Sequence, residues 1–214
     1  TRAKPEAQKS SDVTFNKPLG FKLKDLDSQH PYLAERGIQL ETAIEFGLGF
    51  CTKGILKDHI AISINDASGK LVAYAGRWPG EPADDAHKYK LPTGFKKSLE
   101  LYHLDLAINE SPDQPWIVVE GFFDCIHLWQ SGFKKVVALM GSTMSEAQEE
   151  LLRQHINWNS QIIVLLDEDD AGREGREKIV ARLARLAFVK APTFEQEGCQ
   201  PDHLTAEELS QLLN

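Results

Sequence analysis

Two stretches decide the fold, WIVVEGFFDCIHLW (116–129) and QIIVLLDEDDAGREG (161–175). Each begins with a short, continuous apolar run, ends that run in a carboxylate and continues as a helix-compatible sequence. Continuous apolar runs of this length are typical of strands that are buried on both faces of a parallel sheet. KVVALM (135–140) and FVKAP (188–192) are two further runs, separated from their neighbours by helix-compatible stretches. The alternation predicts an α/β domain whose parallel sheet is covered by helices.

The first half of the chain has a different pattern. PYLAERGIQLETAIEFGLGF (31–50) predicts two short helices separated by Arg36-Gly37. In HIAISI (59–64) and LVAYAGR (71–77), apolar residues alternate with small or polar ones. A turn sequence lies between the two stretches, and the whole predicts a β-hairpin. The Pro- and Gly-containing residues 79–94 predict a long irregular loop.

These patterns divide the chain into three segments. The polar residues 1–14 are expected to be a disordered lead or linker. We expect a smaller α+β lobe over residues 15–110 and the α/β domain over residues 111–214.

Composition excludes several classes of protein. No apolar run approaches 18 residues and the N-terminus has no apolar signal region, so neither a membrane span nor a secretory signal is expected. The three cysteines are too far apart for a disulfide framework or a CxxC zinc site, which favours a reducing, cytoplasmic compartment. Residues 1–110 carry 15 basic and 15 acidic residues, whereas residues 111–214 carry 9 and 17, so the second half holds the whole net charge of −8. An acidic half is compatible with nucleic-acid chemistry through bridging cations, and equally with ordinary acidic, solvated helices.

Carboxylates follow two of the predicted strands. Glu120 ends the first strand, and Asp167-Glu168-Asp169-Asp170 ends the third. Alternation along an extended segment places Asp167 and Asp169 on one side and Glu168 on the other. Because ligands gather at the carboxyl ends of parallel strands, these oxygens predict a Mg²⁺ or Mn²⁺ site and no zinc. The alternative, that the aspartates only cap the following helix, leaves Glu120 unexplained.

The same residues carry a family resemblance. VVEGFFDCIHLW (118–129) followed by IIVLLDEDDAGREG (162–175) resembles the TOPRIM domain, the metal-binding fold of bacterial primases and topoisomerases. The resemblance spans about residues 115–205 and implies that Glu120, Asp167 and Asp169 are the catalytic metal ligands. It adds Asp124, from the primase pattern Glu-Gly-x-x-Asp, and Asp202 as further metal-binding acids.

The first half is similar to the N-terminal lobe of the catalytic core of bacterial replicative, DnaG-type primases. PYLAERG (31–37), AYAGR (73–77) and HKYKLPTGFKKSLELYHL (87–104) occur in the order found in that family. The resemblance implies a TOPRIM parallel sheet preceded by a small α+β lobe, with a basic groove for template and nucleotides. The residues that match this groove, or neighbour those that do, are Arg36, Arg77, Lys88, Lys90, Lys96 and Lys97.

The sequence also departs from the family. We see neither the N-terminal zinc ribbon nor the C-terminal helicase-binding domain of replicative primases. The family's Asp-Pro-Asp pattern is Gln200-Pro201-Asp202 here, and Lys97 is followed by Ser98 rather than Gly. These differences indicate a divergent relative from a plasmid, phage or integrated element.

The resulting hypothesis is a primase-like nucleotidyltransferase that synthesises short RNA primers with a divalent metal. Its expected partners are a single-stranded DNA template, NTPs, and a helicase or other replication protein, with no membrane. Two alternatives remain open: a TOPRIM metal-dependent nuclease, and a non-catalytic nucleic-acid-binding replication accessory.

Overall fold

The structure is a computed structural model that describes residues 15–80 and 87–213. The lead or linker predicted over residues 1–14 lies outside the described residues, as does part of the predicted loop 79–94. Within the described ranges, no helix is both long enough and apolar enough to cross a membrane.

The N-terminal lobe is built on an antiparallel sheet. Two short helices come first, as the sequence predicted. Strands β2 (His59–Asn65) and β3 (Leu71–Arg77) form the predicted hairpin. Strand β1 was not predicted, because three residues are too short to show a period. The four strands lie in the order β1-β2-β3-β4. The bounds are α1 (Pro31–Glu35), α2 (Leu40–Glu45), β1 (Gly49–Cys51), β2 (His59–Asn65), β3 (Leu71–Arg77) and β4 (Tyr89–Lys90).

The second half is the α/β domain that the apolar runs predicted. Its four strands are all parallel and lie in the order β6-β5-β7-β8. One short 3-10 turn, Lys97–Leu99, precedes the domain, and another, Pro201–His203, precedes its last helix. The remaining bounds are α3 (Leu104–Ala107), β5 (Trp116–Val119), α4 (Phe122–Gln130), β6 (Val136–Ala138), α5 (Glu146–Arg153), β7 (Gln161–Leu165), α6 (Asp170–Leu183), β8 (Phe188–Lys190) and α7 (Ala206–Leu213).

The central strand β5 is buried on both faces. Ile117 and Val119 belong to a core that includes residues of α4 and of the N-terminal lobe. Trp116 and Val118 belong to the core on the opposite face, with Ile179 of α6. This two-residue alternation explains why β5 is a continuous apolar run in the sequence.

The two lobes share one hydrophobic core. Ile60 of β2 and Val119 of β5 are members of the same cluster, and Tyr102 forms an antiparallel bridge to Ala138 at the end of β6. The boundary at residue 110 stays a prediction. The shared core holds the carboxyl edge of the parallel sheet against β3 and β4.

Close packing of α6 makes a glycine test possible. An ideal Cβ on Gly175 would lie 2.0 Å from the carbonyl oxygen of Ser142, which is backbone and has little freedom to move. Alanine usually stabilises a helix interior relative to glycine. We expect Gly175→Ala instead to lower the free energy of unfolding by about 1–3 kcal/mol, the usual range for overpacking.

Urea denaturation measures this change, with Gly20→Ala as control. A Cβ on Gly20 meets no atom within 4 Å, so that variant should stay within about 0.5 kcal/mol of wild type. If Gly175→Ala is as stable as wild type, the close packing of Gly175 against the backbone of Ser142 is contradicted.

Candidate active site

A cavity of about 550 Å³ lies between the two lobes. Its acidic lining comes from the parallel-sheet domain and comprises Glu120, Asp124, Asp167 and Asp202. Its basic lining is contributed by residues of the first half, Arg36, Arg77, Lys88 and Lys97. The structure thus brings together eight of the eleven residues predicted from the sequence.

Glu120 and Asp167 form the centre of the acidic side. They follow β5 and β7, which are neighbouring parallel strands, so both carboxylates reach the same edge of the sheet. Burial, together with the charges of Asp167 and Asp169, raises the pKa of Glu120 to about 7. Burial also raises the pKa of Asp167 to about 6, against a hydrogen bond from Gln200 that lowers it. Both carboxyls are therefore held in surroundings that oppose negative charge.

Asp169 has a different position from the other two predicted catalytic acids. Its side chain is exposed and lies outside the cavity lining. It caps the N-terminus of α6 by accepting a 2.7 Å hydrogen bond from the amide of Gly172. The capping interpretation therefore holds for this residue. Its charge still reaches the site, because it contributes to the raised pKa of Glu120.

Asp124 and Asp202 are the most enclosed acids. The Asp124 side chain accepts a 2.9 Å hydrogen bond from the amide of Gly121, and burial, with the charges of Asp202 and Asp167, raises its pKa. The side chain of Asp202 is 3% exposed and forms an ion pair with Arg36. Asp202 thus receives its counter-charge from the other lobe.

The acidic side fits a divalent cation in its chemistry. In the part of the chain that the structure describes, three buried carboxylate oxygens have no hydrogen-bond partner: Glu120 Oε2, Asp167 Oδ1 and Asp202 Oδ1. Hard, anionic oxygens of this kind are the ligands that Mg²⁺ and Mn²⁺ prefer. Within residues 15–80 and 87–213, however, no three Asp, Glu, His or Cys side chains form a metal-binding group as they stand. A bound cation would therefore draw the carboxylates closer together.

Arg77 is the most enclosed of the predicted basic residues. It is 6% exposed, and its Nε donates a 2.9 Å hydrogen bond to the hydroxyl of Tyr32. Its guanidinium carbon lies 5.1 Å from the centre of the Tyr89 ring. Among the described residues, no carboxylate forms an ion pair with it. The cavity therefore contains a buried positive charge that aromatic faces stabilise but do not neutralise.

The other basic lining residues are tethered to different degrees. Arg36 stacks on the ring of Phe123 at 5.0 Å while it pairs with Asp202. The ammonium of Lys97 donates a 2.7 Å hydrogen bond to the carbonyl of Met140, and its charge lowers the pKa of Glu120. Lys88 is exposed at the rim.

Lys90 and Lys96 lie outside the cavity. The ammonium of Lys90 donates a 2.8 Å hydrogen bond to the carbonyl of Ile55. Lys96 is exposed, and its backbone is hydrogen-bonded to Asn16. Their place in a groove stays a prediction that the arrangement of the cavity does not support.

Of the residues that were not predicted for the site, Gln200 and Tyr32 donate to or accept from the side chains of predicted ones. Gln200 donates a 2.5 Å hydrogen bond from Nε2 to Asp167 Oδ2. Tyr32 supplies the acceptor for Arg77 across 45 positions of sequence. The replacement of a family acid by Gln200 was visible in the sequence, but its contact with Asp167 was not.

The sequence and fold are similar to those of known proteins. Residues 117–199 match a family model described as Toprim-like. A DNA primase of Aquifex aeolicus is 28% identical, with the match covering 86% of this chain and 44% of the relative. The crystal structure of the zinc-binding and RNA polymerase domains of that primase has a TM-score of 0.72, covering 86% of this chain and 54% of the other. A DnaG primase catalytic domain bound to single-stranded DNA, 23% identical, has a TM-score of 0.70 and covers 86% and 70% of the two chains.

These findings define the class of protein. Residues 117–199, which include nearly all of β5–β8 and the helices between these strands, are Toprim-like. Together with its N-terminal lobe, it has the fold of a DnaG-type primase catalytic core, as the resemblance predicted. The chain spans less than half the length of the Aquifex relative.

The raised pKa of Glu120 gives a stability prediction for the metal-free protein. A carboxyl whose pKa rises from 4.5 to about 7 on folding binds its proton more tightly in the folded state. Its contribution to stability therefore falls as the pH rises from about 4.5 to 7. One pKa unit corresponds to about 1.4 kcal/mol. Because Glu120 is only partly buried, water screens part of this effect. We therefore expect Glu120→Gln to be more stable than wild type by about 1–3 kcal/mol at pH 8.

Denaturant unfolding in EDTA at several pH values measures this difference. The advantage of Glu120→Gln should shrink toward pH 5, whereas Glu177→Gln, at an exposed position on α6, should show no such trend. A difference between Glu120→Gln and wild type that did not change with pH would contradict the proposed electrostatics.

Proposed function

We propose that the chain is the catalytic core of a primase-type nucleotidyltransferase, which joins ribonucleotides into short primers on a single-stranded DNA template. One observation carries the proposal: unpartnered carboxylate oxygens and a buried, unpaired arginine face the same cavity. A nucleoside triphosphate with a divalent cation has the complementary charges. The named relatives, which are DNA primases, and the structural neighbour bound to single-stranded DNA support this choice.

Glu120, Asp167 and Asp202 are the proposed cation ligands, with Asp124 behind them and Asp169 at the helix start. Mg²⁺ or Mn²⁺ bound there would supply charge neutralisation for the reacting phosphates and a more acidic 3′-hydroxyl. The Gln200 amide holds one oxygen of Asp167, which leaves the other free for a cation. The raised pKa values mean that protons compete with a cation for this site near neutral pH.

The basic residues are the proposed phosphate contacts. Arg77 presents a planar donor set that can bind a phosphate in two places, whereas Lys88 and Lys97 act as point charges. Contacts of this kind hold the nucleic-acid backbone without reading its sequence, as a primer synthase requires. Arg36 is a weaker candidate because Asp202 already neutralises its charge.

The remaining proposals follow from the family resemblance. A helicase or other replication protein is the expected partner, a mobile genetic element the expected source and the cytoplasm the expected compartment. The three cysteines are free, which fits a reducing compartment.

The metal ligands can be tested by primer synthesis. Purified chain, single-stranded templates, labelled NTPs and Mn²⁺ or Mg²⁺ should give short products on a gel. We expect Glu120→Gln and Asp167→Ala to abolish synthesis, because each removes a cation ligand from the cavity. Asp169→Ala should also lose synthesis, because the family resemblance implies a metal-binding role for this residue, and its lost helix cap should cost about 1 kcal/mol of stability.

Template degradation without NTPs would favour a TOPRIM nuclease instead. Template binding without product under either metal would favour the non-catalytic accessory. Near wild-type synthesis by Asp167→Ala would show that the metal site is wrongly assigned.

The basic groove can be tested by salt-dependent DNA binding. Single alanine substitutions of Arg77, Lys88 and Lys97 should weaken binding of labelled single strands by similar factors for all sequences. Each should lower the slope of log affinity against log salt by about one unit. Arg77→Lys should recover only part of the loss, since lysine cannot make a bidentate contact.

Fluorescence anisotropy at several salt concentrations measures these slopes. The double variant Lys90→Ala/Lys96→Ala is a matched control, because it removes two lysines that lie outside the cavity. Unchanged affinity in the triple variant of Arg77, Lys88 and Lys97 would overturn the groove assignment.

A further inference from the structure

Glu168 lies between Asp167 and Asp169 but turns away from the cavity. It is 7% exposed and forms a two-point ion pair with Arg176 of α6, with N–O distances of 2.9 and 3.0 Å. Arg176 is itself 8% exposed. Two buried, fully bonded charges inside a small domain cost desolvation energy, so the pair is not explained by stability alone.

The same residue is hydrogen-bonded to the segment that follows β8. Its carboxylate accepts a 3.2 Å hydrogen bond from the amide of Phe194. Its backbone amide donates to the carbonyl of Cys199 at 2.9 Å, and its carbonyl accepts from the amide of Gly198 at 2.8 Å. Three hydrogen bonds therefore join Glu168 to residues 194–199.

The joined segments carry the acidic side of the cavity. Residues 167–169 hold Asp167 and Asp169, and the segment after residue 199 holds Gln200 and Asp202. The side chains of Gln200 and Asp167 meet across this junction. A shift of one segment against the other would separate Asp167 from both Gln200 and Asp202.

We propose that the buried Glu168–Arg176 pair is a positioning device that fixes these two segments relative to each other and so sets the geometry of the cation site. The inference rests on the proposed function, because it takes the carboxylates to be cation ligands. Glu168 itself is not a ligand, since Arg176 and the Phe194 amide occupy its oxygens. It acts through Asp167 and Asp202.

The test compares Mn²⁺ binding to Glu168→Gln, Arg176→Lys and wild type by titration with electron paramagnetic resonance detection. Residues that orient metal ligands typically change affinity by about 10- to 100-fold when substituted. We expect a loss in this range for Glu168→Gln and a smaller loss for Arg176→Lys, which keeps the charge but loses the two-point contact. Hydrogen exchange of the metal-free proteins should be faster in residues 167–172 and 194–199 of both variants.

Glu149→Gln is the matched control, because it breaks the ion pair of Arg182 on the same helix, remote from the cavity. It should change the melting temperature without changing Mn²⁺ affinity. Unchanged Mn²⁺ affinity in folded Arg176→Lys and Glu168→Gln would overturn the positioning role, even if both melt at lower temperature. If Glu168→Gln does not fold, Arg176→Lys alone decides.

Absence of Mn²⁺ binding in wild type would contradict the proposed function rather than the link between the segments. In that case, unchanged hydrogen exchange of residues 167–172 and 194–199 in the two variants would overturn the positioning role as well. Faster hydrogen exchange there would support the link between the two segments.

Discussion

Repulsion among carboxylates at one edge of the parallel sheet is the constraint on which the site depends. Neighbouring strands β5 and β7 bring Glu120 and Asp167 to the same edge of the sheet, and Asp124 and Asp202 line the same cavity. Burial and mutual charge both oppose ionisation there. The surrounding groups offset part of this cost: Arg36 pairs with Asp202, Gln200 bonds Asp167, and a backbone amide bonds Asp124. The carboxylate oxygens that these groups leave without a hydrogen bond are the ones that a cation can bind.

This compensation depends on the close packing of the two lobes. Arg36 belongs to the C-terminal end of α1, yet its counter-ion Asp202 lies in the last quarter of the chain. A hydrophobic core that includes residues of β2 and β5 holds the two lobes together, and so keeps Arg36 close to Asp202. The N-terminal lobe is therefore part of the electrostatic environment of the acidic site as well as the source of the basic residues.

The sequence predicted the features that depend on the residue pattern along each strand and on the residues at the strand ends. Continuous apolar runs identified the buried parallel strands, and the carboxylates after them identified Glu120 and Asp167. It could not predict the partners of these residues, because Gln200, Tyr32 and Arg36 are set by contacts between distant segments. Lys90 shows the opposite failure. It shares a basic stretch with Lys88, but its ammonium donates to the carbonyl of Ile55 and lies outside the cavity that Lys88 lines.

The two cavity arginines differ in how their charge is balanced, and this difference supports the proposed ligand. Arg36 is neutralised by an acid, whereas Arg77 is held by the Tyr32 hydroxyl and the Tyr89 ring, which leave its positive charge in place. Glu120 and Asp167 line the same cavity and keep unbonded oxygens. A single ion cannot satisfy both a positive and a negative uncompensated charge in one cavity. A phosphate that carries its own divalent cation would satisfy both, because its anionic oxygens can bind an arginine while its cation binds carboxylates, and this supports the proposed nucleoside triphosphate.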